Sequence, residues 1–448
     1  MKTLKKYFTI CIVASFSLFV SCESILDEKS DYKLAIPETL GEFQALLDRY
    51  TDILGEYNAS GEVSSDDYYL TDNDFNALRN EEDKRLYTWQ SSFVATNSGI
   101  GNDWLRTFKP IYVANAVLHE IKQKKILGAD YIKGQALTIR ASRYLDALQV
   151  WAPVYNKSTS HTDLGLPLRN DPDMNLPSIR ASVEDTYNFI INDLNEALEV
   201  LPELETSIVR PNRGLVNGLL ARAYLYRGQY SEALEYALKG LEFKSNLIDF
   251  NSLNSLDKYP IKDLNIEQFY RVTMRLAPQL NAPIARIPKD LYDLYHEDDL
   301  RKEMFFTPHT DGTILFRGTY SGSASARITS ITSGELYLVA AECYARLNQV
   351  NQSVNMLNLL LKNRWKSGRY IEIANGNNIL DLVLIERRKE LLMRGLRWPD
   401  IKRLNRDGAS INLTRIVNGI KYTLPANDKR FAISIPEEII DLTGMIQN

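Results

Sequence analysis

Ala221-Arg222-Ala223-Tyr224-Leu225-Tyr226-Arg227-Gly228-Gln229-Tyr230-Ser231-Glu232-Ala233-Leu234-Glu235-Tyr236-Ala237 holds two amphipathic runs separated by one glycine. Small residues at Ala221, Ala223, Ala233 and Ala237 let two helices approach closely, and Gly228 suits the tight turn between them. The stretch predicts a tetratricopeptide-like helix pair over 213–227 and 230–243. Residues 335–364 repeat the pattern, with Tyr337, Ala341, Tyr344, Ala345, Val354 and Leu357 in comparable places. Asn348 stands at the second turn, where Asn tolerates the left-handed conformation.

Helical periodicity extends outward from this pair. Leu40, Phe43, Leu46 and Leu47 share one face, as do Trp104, Phe108, Ile111, Tyr112, Asn115 and Leu118, and the period returns over 134–150. From Ser182 a capping-box pattern to Asp185 opens a helix whose buried stripe is Val183, Tyr187, Ile190, Ile191, Leu194, Leu198 and Leu201, ended by Pro202. Two segments lack this rhythm: 55–103, rich in Asn, Asp, Ser and Gly, and 244–330, with a strand-like run at 313–316. They read as long loops, and loops of that length are more often functional than idle. The expected fold class is mostly α, with helix pairs and long irregular segments.

The chain opens with Lys2, Lys5 and Lys6, an apolar run over 7–20, then Ser21 and Cys22. This resembles a bacterial lipoprotein signal, although Phe19 stands three before the cysteine where Leu is usual; an ordinary secretory signal is the alternative. The run is shorter than the about 20 residues that span a membrane. The expected organisation is a signal peptide over 1–21, a tether over 22–36 carrying lipid such as palmitate on Cys22, and one domain over 37–448. Removing the signal takes away three lysines and no acid, so the net charge of -4 becomes about -7. That balance argues against nucleic acid as the main partner. Cys343 is then the one cysteine besides Cys22, so no disulfide closes within the domain.

Motifs for catalysis are missing. The four His residues, at 119, 161, 296 and 309, show no zinc spacing. Trp104 occupies the third glycine position of the dinucleotide pattern begun by Gly99 and Gly101, and no GxSxG elbow occurs. The chain is expected to be no enzyme and to need no cofactor. Asp72, Asp74, Asn76 and Asp83 fall at positions one, three, five and twelve of an EF-hand-like loop, a weak calcium candidate because Ala77 stands where Gly is required.

The C-terminal third carries the most specific pattern. Glu386-Arg387-Arg388-Lys389-Glu390-Leu391 followed by Arg394-Gly395-Leu396-Arg397-Trp398-Pro399-Asp400-Ile401-Lys402-Arg403 resembles the signature block of the SusD/RagB family of outer-membrane nutrient-binding lipoproteins. Leu26-Asp27, Trp104 with Tyr112 and Asn115, Arg140-Ala141 with Tyr144, Gly165-Leu166-Pro167-Leu168, Asn212-Arg213, Glu335-Tyr337-Leu338, Ile435-Pro436 and Gln447-Asn448 follow the family's order. Met393 and Arg394 depart from the family's aromatic and glutamate. Charges three and four apart let Glu386, Arg387, Glu390 and Arg394 pair along one helix side, and Trp398 to Asp400 suit a packed corner.

The resemblance implies four tetratricopeptide-like helix pairs with ligand loops on the surface. It also implies a lipid-anchored protein of the outer membrane, exposed at the surface, that delivers a glycan to a SusC-like TonB-dependent transporter. A peptide ligand, as in the RagB-like branch, and a periplasmic adaptor that binds only proteins are the alternatives. Sugar rings stack on aromatics while polar side chains bond their hydroxyls, so the expected contacts are Asp66, Tyr68, Tyr69, Trp89, Asn97 and Asn102 from the first loop segment. Tyr270 and Tyr320 come from the second.

Overall fold

The computed structural model describes residues 37–90, 103–203, 207–374 and 376–448. The expected signal, Cys22 and the tether lie outside these residues, as do Asn97 and Asn102. The chain divides into an N-terminal unit, Met1–Phe43, and a body, Gln44–Asn448, which carries the features below.

The body is mostly helical. Its long helices are α1 (Asp103–Lys124), α2 (Asp130–Trp151), α3 (Val183–Val200), α4 (Arg213–Arg227), α5 (Tyr230–Phe243), α6 (Ser333–Arg346), α7 (Val350–Leu361), α8 (Ile379–Glu390) and α9 (Arg397–Arg406). From α1 to α7 each helix packs on the next, and α8 lies against α6. Local chemistry sets their ends. The Ser182 hydroxyl accepts the Asp185 N–H at 3.0 Å and caps α3, and Asn212 accepts the Leu215 N–H at 2.9 Å and caps α4. Gly228, at φ +75°, turns α4 into α5, and Asn348, at φ +60°, turns α6 into α7. Both marked pairs thus form where the sequence placed them. Close approach also needs Gly240, because a Cβ there would stand 2.6 Å from Leu336 of α6.

The two aperiodic segments are not loops around this frame. Residues 55–90 fold into the short helices Ser60–Ser64, Asp72–Asn76 and Glu81–Tyr87. The other segment forms short antiparallel pairs: β3 (Thr273–Met274) with β6 (Arg327–Ile328), and β4 (Phe306–Pro308) with β5 (Ile314–Phe316). Together they build a core of their own, in which Val63, Tyr68, Phe75 and Tyr87 meet Phe250, Tyr295, Phe305, Phe316 and Tyr320. Two further antiparallel pairs, β1 (Leu164–Pro167) with β2 (Arg180–Ser182) and β7 (Leu413–Val417) with β8 (Ile420–Leu424), complete the strands described.

The signature block joins the helical row to this second core, and it does so differently from the local pairing expected of it. Glu390 receives Arg364 and Arg301, Glu386 receives Arg301 and Lys389, and Arg387 reaches Asp400 of α9 at 2.8 Å. Arg364 also holds Glu267 at 2.7 Å, and Arg394 donates to the Ser330 carbonyl at 2.7 Å. Lys389 is the one of these partners three residues from its acid; the rest lie far away in sequence. Arg301, Arg364 and Glu267 have side chains wholly hidden from water, and removing Arg364 would leave the buried Glu267 without its counter-charge. Trp398 does fill a packed corner, fully buried beside Phe431.

Candidate functional site

Along α1 the rings of Trp104, Phe108 and Tyr112 recur every four residues and so line one side of the helix. Trp104 stacks on Phe108 with centroids 4.5 Å apart, and Trp151 and Tyr144 of α2 brace them edge-on at 4.9 and 6.0 Å. Tyr112 is 44% exposed and Leu105 53%. Facing them stand Pro167 at the end of β1, the turn carrying Arg169, Asp171, Met174 and Ser178, and Ile439, Thr443 and Met445 near the C-terminus. The space between is an open groove of about 560 Å³.

Its polar rim is held stiffly. Asn115 donates to the Arg169 carbonyl at 2.9 Å and accepts from Arg140 at 2.8 Å, while Arg140 grips Asp193 with two bonds of 2.7 Å. Burial raises the Asp193 carboxyl, and Arg140 opposes that shift. The Arg169 guanidinium folds back on its own turn, donating to the Leu176 carbonyl at 2.7 Å and to Asp173. Lys109 sits 3.1 Å from Asp52. With these groups engaged, and Ser178 Oγ accepting from Arg169 at 3.3 Å, the Tyr112 hydroxyl and Asp171, whose carboxylate lies 3.7 Å from His119, are the rim's polar groups for a ligand among the described residues. An apolar floor with a few fixed polar groups suits a molecule with one greasy face and hydroxyl edges. A second cavity of about 340 Å³ beside α9 has Phe431 as its one ring, and its Asn405 and Arg406 are bonded to backbone carbonyls.

The expected contacts divide on inspection. Tyr68, Trp89, Tyr270 and Tyr320 are buried, and this corrects their reading as ligand rings. The Tyr68 hydroxyl donates to the Val63 carbonyl, the Trp89 indole donates to the Ser64 carbonyl at 2.8 Å, and Tyr320 reaches Glu390 at 3.3 Å. Arg415 covers the faces of Tyr68, Tyr87 and Trp89. Tyr68 and Tyr320 are packed among Val63, Phe75, Phe250 and Phe305 in the core that the aperiodic segments build. Tyr69 is half-buried and still presents a ring; its backbone pairs with Arg286. Asp66 is 28% exposed in its side chain and is held ionised, because Arg397 and Arg388 clamp it against the cost of burial.

The calcium candidate is also corrected. Asp72–Asn76 is a helix rather than a loop, and its acids go separate ways: Asp72 accepts the Asn418 N–H, Asp74 pairs with Arg286, Asn76 bonds Asn418, and Asp83 meets Gln279. Among the described residues no group of three or more metal-binding side chains converges. The sequence reading named Trp104, Tyr112 and Asn115 without assigning them to a ligand. The four-residue aromatic spacing was the available signal; the facing wall at 439–445 had none.

Comparison with known proteins agrees with this architecture. A family model described as starch-binding, associating with the outer membrane, matches residues 24–225, and the SusD family model matches 317–438. A SusD-like protein of Bacteroides ovatus is 24% identical over 247 residues, which are 51% of this chain and 40% of that protein's length. Among solved structures, a SusD superfamily protein of Bacteroides thetaiotaomicron superposes with a TM-score of 0.75 at 19% identity, covering 92% of this chain and 100% of that one. A putative sugar binding protein of Bacteroides vulgatus gives 0.72 at 20% identity, covering 92% and 99%.

Proposed function

Because the chain belongs to the SusD family, we propose that it captures an oligosaccharide or polysaccharide at the cell surface and delivers it to a SusC-like TonB-dependent transporter. The observation that carries this reading is the α1 groove, an aromatic floor ending in the exposed Tyr112 ring with a stiff polar rim. A pyranose has the matching shape, one apolar C–H face and an edge of hydroxyls. The groove's fixed cations are already paired, which favours a neutral sugar over an acidic one. The sugar-binding description of the Bacteroides vulgatus structure supports the same class of ligand.

In this proposal Cys22 carries acyl chains, each buried methylene adding about 0.8 kcal/mol of membrane affinity. The domain then runs over 37–448, with the tether before it. Tyr69 and Asp66 remain secondary contact candidates. Screening a glycan array beside a panel of oligopeptides tests the ligand class. Saturable glycan binding that falls when Tyr112 is changed to Ala is expected; peptide binding with no glycan signal would reverse the assignment. The adaptor reading predicts protection from added protease in intact cells, and the surface reading predicts cleavage.

A further inference from the structure

Deep in the body, away from the groove, a second kind of cavity lies where the signature corner meets α2, α4 and the turn before the Ser60–Ser64 helix. Its volume is about 50 Å³. Four polar side-chain atoms of its lining residues have no hydrogen-bond partner in the protein: Asn58 Nδ2, Tyr270 Oη, Ser330 Oγ and Trp398 Nε1. All four residues are at least nine-tenths buried. The same wall holds the Asp146 carboxylate, which accepts the Asn58 backbone N–H at 3.0 Å, and Arg222, which is bonded through two nitrogens to Glu335 at 2.8 and 2.7 Å.

The donor and acceptor types select the occupant. The amide nitrogen and the indole can only donate, so with Arg222 beside them they repel a cation. Asp146 in its ionised form repels an anion, although burial pushes its carboxyl up to about 7. Tyr270 and Ser330 both donate and accept. A molecule that accepts from nitrogen donors, donates to a carboxylate and carries no charge meets every group, and water does this.

We propose that the cavity is a built hydration site holding a cluster of about three to five water molecules, at about 10–15 Å³ for each. The cluster ties Trp398 of the signature corner to Asn58, to Asp146 of α2 and to the 270 and 330 segments. It would thus complete the joint between the helical row and the second core. The site needs nothing from the groove, so it stands whether or not the groove binds glycan.

A high-resolution crystal structure of the full chain, with water-selective proton NMR on the Trp398 indole in solution, tests this. The Trp398 resonance is assigned by its loss in Trp398→Phe, and Ser330→Ala provides a milder variant. Ordered waters within hydrogen-bond distance of the four atoms, magnetisation transfer from water to the indole proton, and one water fewer in Ser330→Ala are expected. Direct side-chain pairing that closes the cavity, a bound ion in place of water, or no transfer to the indole would each overturn the proposal.

Discussion

Arg364 shows how a single residue here acts on the whole. Its guanidinium meets Glu390 and Glu267, donates to the Ile248 carbonyl at 2.8 Å and covers the Phe250 ring. Arg364→Met would leave the buried Glu267 carboxylate with the Ile248 N–H but no counter-charge, and a loss of about 3–5 kcal/mol in urea unfolding is expected. Rings misread as contacts behave alike. Tyr68→Ala and Tyr320→Ala each remove a filled core position and should cost about 3–5 kcal/mol, whereas an exposed ring would cost little. Glu62 adds a dependence on pH. Burial, with Asp67 close by, pushes its carboxyl up to about 8, although Gly395 N–H and Arg327 oppose the shift. The folded state therefore keeps a proton that the unfolded chain releases above its ordinary pKa. Stability should fall as pH rises from about 4.5 through about 8, and Glu62→Gln should flatten that fall in urea midpoints. A midpoint that climbs over this range contradicts the assignment.

Helix ends are where sequence and structure meet most simply. The boundaries of α4 and α5 were legible because Gly228, the alanines and the apolar stripe all pointed to the same turn. The capping of α3 was legible for the same reason. Ser182→Ala should cost about 1 kcal/mol, and Gly228→Ala about 1–2 kcal/mol because alanine resists its positive φ, both read from thermal unfolding. The β7–β8 turn is Asn418-Gly419, both at positive φ, a local hairpin signal between Val417 and Ile420. Other elements were hidden. The charges of α8 looked like local pairs because spacing reveals neighbours on one helix and says nothing of partners 13 to 89 residues away. The short helices at 60–87 carry too few turns for a period to register.

At the scale of the molecule, a row of helices supports a second core built from irregular chain, and the signature block bolts the two together through buried ion pairs. Aromatic residues in polar stretches of sequence were read as surface because nothing local says which will be covered. Burial is decided by segments far apart, as where Tyr68 meets Tyr320 in one core. The groove was half legible: its floor lies on one helix, while its far wall arrives from 167–178 and 439–445. The proposed anchor makes an independent prediction. Cys22→Ala should move the protein from membranes to the soluble fraction, and unchanged fractionation would remove lipidation from the proposal.

Capture of glycan in the α1 groove is tested most directly by titrating one glycan, chosen from the array, into the wild type and into Tyr112→Ala. Removing an aromatic from a stacked base costs about 1–3 kcal/mol, and a sugar ring of similar contact would weaken by roughly one to two powers of ten. The exposed position of Tyr112 means the melting temperature should not move. Affinity ten- to a hundredfold weaker, roughly, with an unchanged melting temperature is the predicted result; wild-type affinity in a normally folded Tyr112→Ala would contradict it.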